Sequence, residues 1–104
     1  MNHPRKIIVC LAEREEQRIE MIAKLLVEHH FARIKSDAKK IIRQSPYDID
    51  LAGAYFVAAS SFNFRTSANT AQRLFEMALR GNLILLGARK VPPEMEFLCE
   101  VYYP

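Results

Sequence analysis

Lys6–Ala12, KIIVCLA, and the stretch that follows it, Glu13–Leu26, EREEQRIEMIAKLL, decide the fold. The first is apolar at consecutive positions and opens on β-branched Ile7, Ile8 and Val9, the pattern of a strand covered on both faces. The second is periodic. Ile19, Ile22, Ala23 and Leu26 recur at intervals of three and four, while Glu20 with Lys24, and Lys24 with Glu28, are spaced as charge pairs on an exposed helical face. A buried strand running into an amphipathic helix is the first half of a crossover unit, and the helix is expected to end near His29 and His30.

The same reading extends outward. Phe31–Lys35, FARIK, alternates as a short second strand. Ser36 then caps DAKKIIRQ as a short helix that stops before Pro46. Tyr47–Leu51 reads as a connection or one helical turn, and Ala54–Ala59, AYFVAA, as a second buried strand. Ser60–Thr70, SSFNFRTSANT, is a polar loop carrying aromatics. Ala71, Leu74, Phe75 and Ala78 lie at helical spacing, with Gly81 and Asn82 as the stop signal. Leu83–Leu86 is another buried run, Gly87–Pro93 a turn stiffened by Pro92 and Pro93, and FLCEVYY (Phe97–Tyr103) a last strand. Strands alternating with helices predict an α/β three-layer sandwich with a small, mainly parallel sheet, of Rossmann or flavodoxin type.

Composition sets the outer bounds. A chain of 104 residues and 12.0 kDa is read as one domain spanning 1–104, which excludes a pair of catalytic domains. It is half hydrophobic and 26% charged, far from the composition of disorder. The net charge of +3 and pI near 9.0 come from Lys and Arg interleaved with Glu and Asp, so charge neither requires nor excludes a nucleic-acid partner. Cys10 and Cys99 sit in apolar runs and read as buried thiols rather than a disulfide. The apolar run at the N-terminus is too short for a signal peptide or membrane span, and a cytoplasmic protein is expected.

In a parallel sheet ligands bind outside the C-terminal strand ends, where the strand order changes direction. The segments expected there are Leu11–Arg14, Ser60–Thr70 and Gly87–Lys90. They bring Arg14, Arg65, Arg89 and Lys90 to one rim, with Ser60, Ser61, Asn63 and Asn69 as hydroxyl and amide donors beside a helix N-terminus. This composition suits a phosphate or carboxylate. The alternative is that Ser67, Asn69 and Thr70 cap a helix and the arginines are solvated. Gly53, Gly81 and Gly87 form no glycine-rich phosphate loop, which argues against dinucleotide and triphosphate enzymes. His3, His29 and His30 do not combine with the cysteines at metal spacing, so neither metal nor cofactor is expected. Cys10 has no basic neighbour to make it a nucleophile. Phe62 and Phe64 suit either stacking on a nucleobase or packing against a neighbouring subunit.

Three of these stretches, KIIVCLAEREEQRIEMIAKLL, DLAGAYFVAASSF and TAQRLFEMALRGNLILLGAR, resemble the nucleoside 2-deoxyribosyltransferase-like group. The resemblance implies an α/β fold, a nucleoside or nucleotide ligand and a homo-oligomer with sites near subunit boundaries. It also implies a glutamate nucleophile early in the late helix and an acid at the end of the preceding strand, since a carboxylate can stabilise an oxocarbenium-like centre. Registered on Gly81, the nucleophile position holds Arg73; registered on AYFVAAS, the acid position holds Ala59. Glu76 is the helix's sole acid and substitutes only under a different register. The resemblance therefore implies a divergent member that has lost glycosyl transfer and binds a nucleotide or other small anion, with Arg73 favouring the anionic group. The alternatives are an active nucleoside deoxyribosyltransferase or deoxynucleotide N-glycoside hydrolase, and a structural or adaptor subunit using Phe62, Phe64 and the terminal EVYYP for contacts.

Overall fold

The computed structural model describes residues 7–44, 49–51, 55–62, 68–93, 96–97 and 99–104. Its elements are β1 (Ile7–Leu11), α1 (Glu15–Glu28), α2 (Lys35–Gln44), β2 (Ile49–Leu51), β3 (Tyr55–Ser61), α3 (Ala68–Arg80), β4 (Leu83–Ala88) and β5 (Cys99–Tyr102). The strands form one sheet in the order β2-β3-β4-β1-β5, with β2 antiparallel to β3 and every other pair parallel. A mainly parallel sheet between helical layers is the expected class. The order of the parallel strands places β1 between β4 and β5, so the chain must cross over β4 to reach β3.

The consecutive apolar runs work because both sheet faces are covered. Ile8, Cys10, Tyr55, Val57, Ala59 and Leu85 face α1 and α2, packing on Ile19, Ile22, Leu26, Ala38 and Ile42. The alternate residues Ile7, Val9, Phe56, Ala58, Ile84 and Leu86 pack with Leu74 and Ala78 of α3. Strand periodicity of two divides each run between two cores, and a single polar residue in any run would be buried on one of them.

Helix ends are set by local backbone chemistry. Past α1, His30 takes a left-handed φ of 65°, its N–H bonding the carbonyl of Val27 and that of Phe31 the carbonyl of Leu26. Past α3, Gly81 has φ 116°, with the corresponding bonds from Gly81 to Ala78 and from Asn82 to Met77. Both are Schellman stops, which satisfy carbonyls the helix cannot.

Three local expectations are overturned, the first being the Ser36 cap: α2 begins at Lys35, so Ser36 lies inside the helix. FARIK is not a strand: Phe31 is consumed by the α1 stop, its ring packs on Tyr55 at a centroid distance of 4.3 Å, and α2 begins at Lys35. The alternation is that of a cap followed by a helix start. Ile49–Leu51, within the segment read as a connection or helical turn, is instead a strand pairing antiparallel with β3, Asp50 opposite Phe56. Glu20 also departs from the spacing expected within α1. It forms ion pairs with Lys35 and Lys39 of α2, and Glu16 meets Arg43 at 3.4 Å, so these carboxylates clasp two packed helices. Position 46, the expected helix stop, lies outside the described residues.

The cysteines face opposite layers. Cys10 is buried on the α1 side, whereas Cys99 is only half-buried, packs on the α3 side and aligns with Ile7 rather than Cys10. Burial raises the Cys10 thiol to about 12 and the Cys99 thiol to about 11. Both are free thiols. Among the described residues, no helix is long and apolar enough to cross a membrane.

Candidate functional site at the strand ends

The chain leaves β1 and β4 toward opposite faces of the sheet. β1 leads into α1, while the segment after β4 sends Val91 into the α3-side core. The two strands are neighbours, Leu11 opposite Ala88, so their diverging exits form the switch point at which open α/β sheets accept ligands. Backbone bonds hold this edge together: Ala12 N–H donates to the Ala88 carbonyl at 3.2 Å and Phe62 N–H to that of Gly87 at 2.7 Å. Between Ala58 and Ser61 the register of β3 against β4 shifts, which places Ser60 and Ser61 at this end of β3.

The residue that dominates the edge is Arg18, one turn into α1 and only 4% exposed. Its Nη1 donates to the carbonyl oxygens of Ala12 at 2.9 Å and Glu13 at 3.0 Å, both just beyond β1. Its Nε is buried without a hydrogen-bond partner, and among the described residues no carboxylate forms an ion pair with it. Carbonyl dipoles supply part of what water would give a guanidinium, but a buried charge without a counterion carries a desolvation penalty of several kcal/mol. A planar guanidinium is the side chain whose geometry best matches a carboxylate or phosphate oxygen.

Arg18 was absent from the residues expected at the rim, although its position was legible. Together with Ile22 and Leu25 it falls at four- and seven-residue spacing on the buried face of α1. An arginine on such a stripe is either snorkelling or holding something, and its exposure excludes the first.

The residues expected at the rim divide into groups. Arg14, which begins α1 as its N-cap without a side-chain cap bond, is exposed at the same edge as the exposed Arg89 and Lys90 just past β4. No ion pair joins any of the three to a described acid. Ser60 and Ser61 end β3, and Asn69 and Thr70 lie in the first turn of α3. Asn63, Phe64, Arg65 and Ser67 lie outside the described residues. Arg73 and Glu76 are both exposed on α3, the helix across the sheet from α1 and Arg18. Phe62, expected to stack or make contacts, is half-buried against the α3-side core.

Among the described residues, two shallow surface depressions have linings that include none of the rim arginines. One is lined by Val27, His30, Phe31, Ala32 and Arg33, the other by Glu16, Gln17, Glu20, Met21 and Pro104. Among the described residues, no three His, Cys, Asp or Glu side chains cluster as a metal site would require. No protein-family model, curated protein or solved structure matches the chain.

Proposed function

We propose that this protein binds a small anionic ligand at the C-terminal strand ends, with Arg18 as the central charge and Arg14, Arg89 and Lys90 as the outer ones, and that it does so without glycosyl transfer. One observation carries the reading: a guanidinium 4% exposed, with an unpartnered Nε and no described carboxylate, at the point where β1 and β4 part. The resemblance to nucleoside 2-deoxyribosyltransferase-like proteins makes a nucleotide the first ligand class to try, with the phosphate as the part that Arg18 reads. The loss of glycosyl chemistry is supported by Arg73 and Ala59 standing where that resemblance wants acids.

Calorimetry with inorganic phosphate, deoxynucleosides and their monophosphates tests the binding. Monophosphates are expected to bind and deoxynucleosides to bind at least tenfold more weakly; Arg18→Met abolishes binding, and Arg18→Lys restores part of it. No heat from any anion in a folded wild type overturns the reading. Incubation with deoxynucleosides and deoxynucleotides, followed by chromatography for free base, tests the chemistry. Release of base that Glu76→Ala abolishes would establish an enzyme instead.

A further inference from the structure

β5 ends the sheet, and its outer edge meets no described strand. Natural sheets blunt such edges with lysine, proline or bulges, because unpaired N–H and C=O groups recruit another strand. The described residues 97 and 99–103 contain no Lys, Arg or Pro, and Pro104 falls past the end of the strand. Their sole charge is Glu100, whose carboxylate accepts a 2.7 Å hydrogen bond from the Tyr102 hydroxyl. Of the five large hydrophobic side chains exposed among the described residues, three fall in this short stretch: Phe97 at 80%, Tyr103 at 73%, and Tyr102. The strand packs chiefly on β1, while α1 lies over β1, β3 and β4.

The side chains of β5 also complement themselves. Cys99 and Val101 align with Ile7 and Val9 and so face the α3 side, while Glu100 and Tyr102 align with Ile8 and Cys10 on the α1 side. In an antiparallel pairing of two copies, opposed residues share a face. Centring on Glu100 would set two carboxylates directly opposite, which is unfavourable. Centring on Val101 sets Val101 against Val101, Cys99 against Tyr103, and Glu100 against Tyr102, so the two carboxylates stand apart, each beside a phenol ring of the other copy.

We propose that β5 pairs antiparallel with β5 of a second copy about a two-fold axis through Val101, joining two sheets into one of ten strands. Both copies use the same patch, so the contact closes at a dimer and leaves no β5 edge exposed.

Light scattering after gel filtration of the full chain is expected to give twice the monomer mass at about 0.1 mM, in the range where micromolar association is visible. Tyr103→Lys, at an exposed position, is expected to return the mass to that of one chain with the circular dichroism unchanged. Cross-linking checks the register. In a Cys99→Ser background, mild oxidation should link Val101→Cys to its own copy, because opposed Cα atoms lie roughly 5 Å apart, but not Glu100→Cys, whose copies stand roughly 8 Å apart. With Cys99 intact, Tyr103→Cys should cross-link to it. A monomeric wild type at about 0.1 mM, or Glu100→Cys linking as readily as Val101→Cys, overturns the proposal.

Discussion

A β-carbon on Gly87 would stand 2.6 Å from the carbonyl oxygen of Ala59, a distance that side chains essentially never tolerate. It would also lie 3.1 Å from the Cβ of Arg18. The glycine lets β3 shift its register against β4 and lets the arginine stem lie close over β4 at the strand ends, so a single absent methyl supports both the fold and the proposed site.

Gly87→Ala is therefore expected to destabilise the protein by about 1–3 kcal/mol through overpacking against backbone that cannot swing aside. A lowered urea midpoint with unchanged slope would show it. Because the same methyl presses on Arg18, phosphate affinity should fall as well, and wild-type stability in the variant would refute the close approach.

The two left-handed helix stops predict opposite signs. Gly81 is needed at φ 116°, and Gly81→Ala should cost about 1 kcal/mol or more. His30 bears the penalty of a β-carbon at φ 65°. Replacing it with glycine removes about 1–2 kcal/mol of strain and adds unfolded-state entropy, a net gain of roughly 0.5 kcal/mol or a rise of about 2–4 °C in thermal midpoint. Equal effects at both sites would contradict the backbone geometry.

Glu20 predicts an acid-side loss. Hydrogen bonds from Lys35 and then Lys39 lower its pKa from the ordinary 4.5 to about 2. A depressed carboxylate stabilises the folded state above the unfolded pKa, and that contribution disappears as pH falls from 4.5 toward 2. The pair is exposed, so the effect should be modest and should shrink in high salt. Comparing wild type with Glu20→Gln by denaturation across this range checks it: the difference should narrow as pH drops.

The thiols predict the alkaline side. Both have pKa values raised above the ordinary 9.0 by burial, so the folded state holds their protons more tightly than the unfolded state. Their contribution is intact below pH 9 and is lost as pH rises toward 11 and then 12. A thiol reagent at pH 8 should leave Cys10 untouched in the native protein, react slowly with half-buried Cys99, and modify both after unfolding. Rapid native labelling of Cys10 would place it outside the core.

The buried strands and the long helices were readable because each carries its own periodicity: Ile7–Cys10 and Tyr55–Ala59 bury both faces, and Ile19, Ile22 and Leu26 mark one stripe of α1. FARIK and Ile49–Leu51 were misread for a common reason. In segments this short, alternation is compatible with a cap, a turn or an edge strand, and the choice depends on partners distant in sequence, Tyr55 for Phe31 and Phe56 for Asp50. The rim arginines Arg14 and Arg89 were found by a topological rule, whereas Arg18 required taking the helical stripe literally at a charged position.

The amino-acid sequence by itself determined the class of this protein, because hydrophobic period is a local property: runs buried on two faces must be central strands, and striped helices must cover them. Tertiary structure alone decided the strand order, the facing of Cys10 and Cys99, the α1–α2 clasp and the burial of Arg18. Each depends on which surfaces meet across the sheet. Burial turns an ordinary arginine into a charge that lacks a counterion among the described residues, and only the packed chain reveals it.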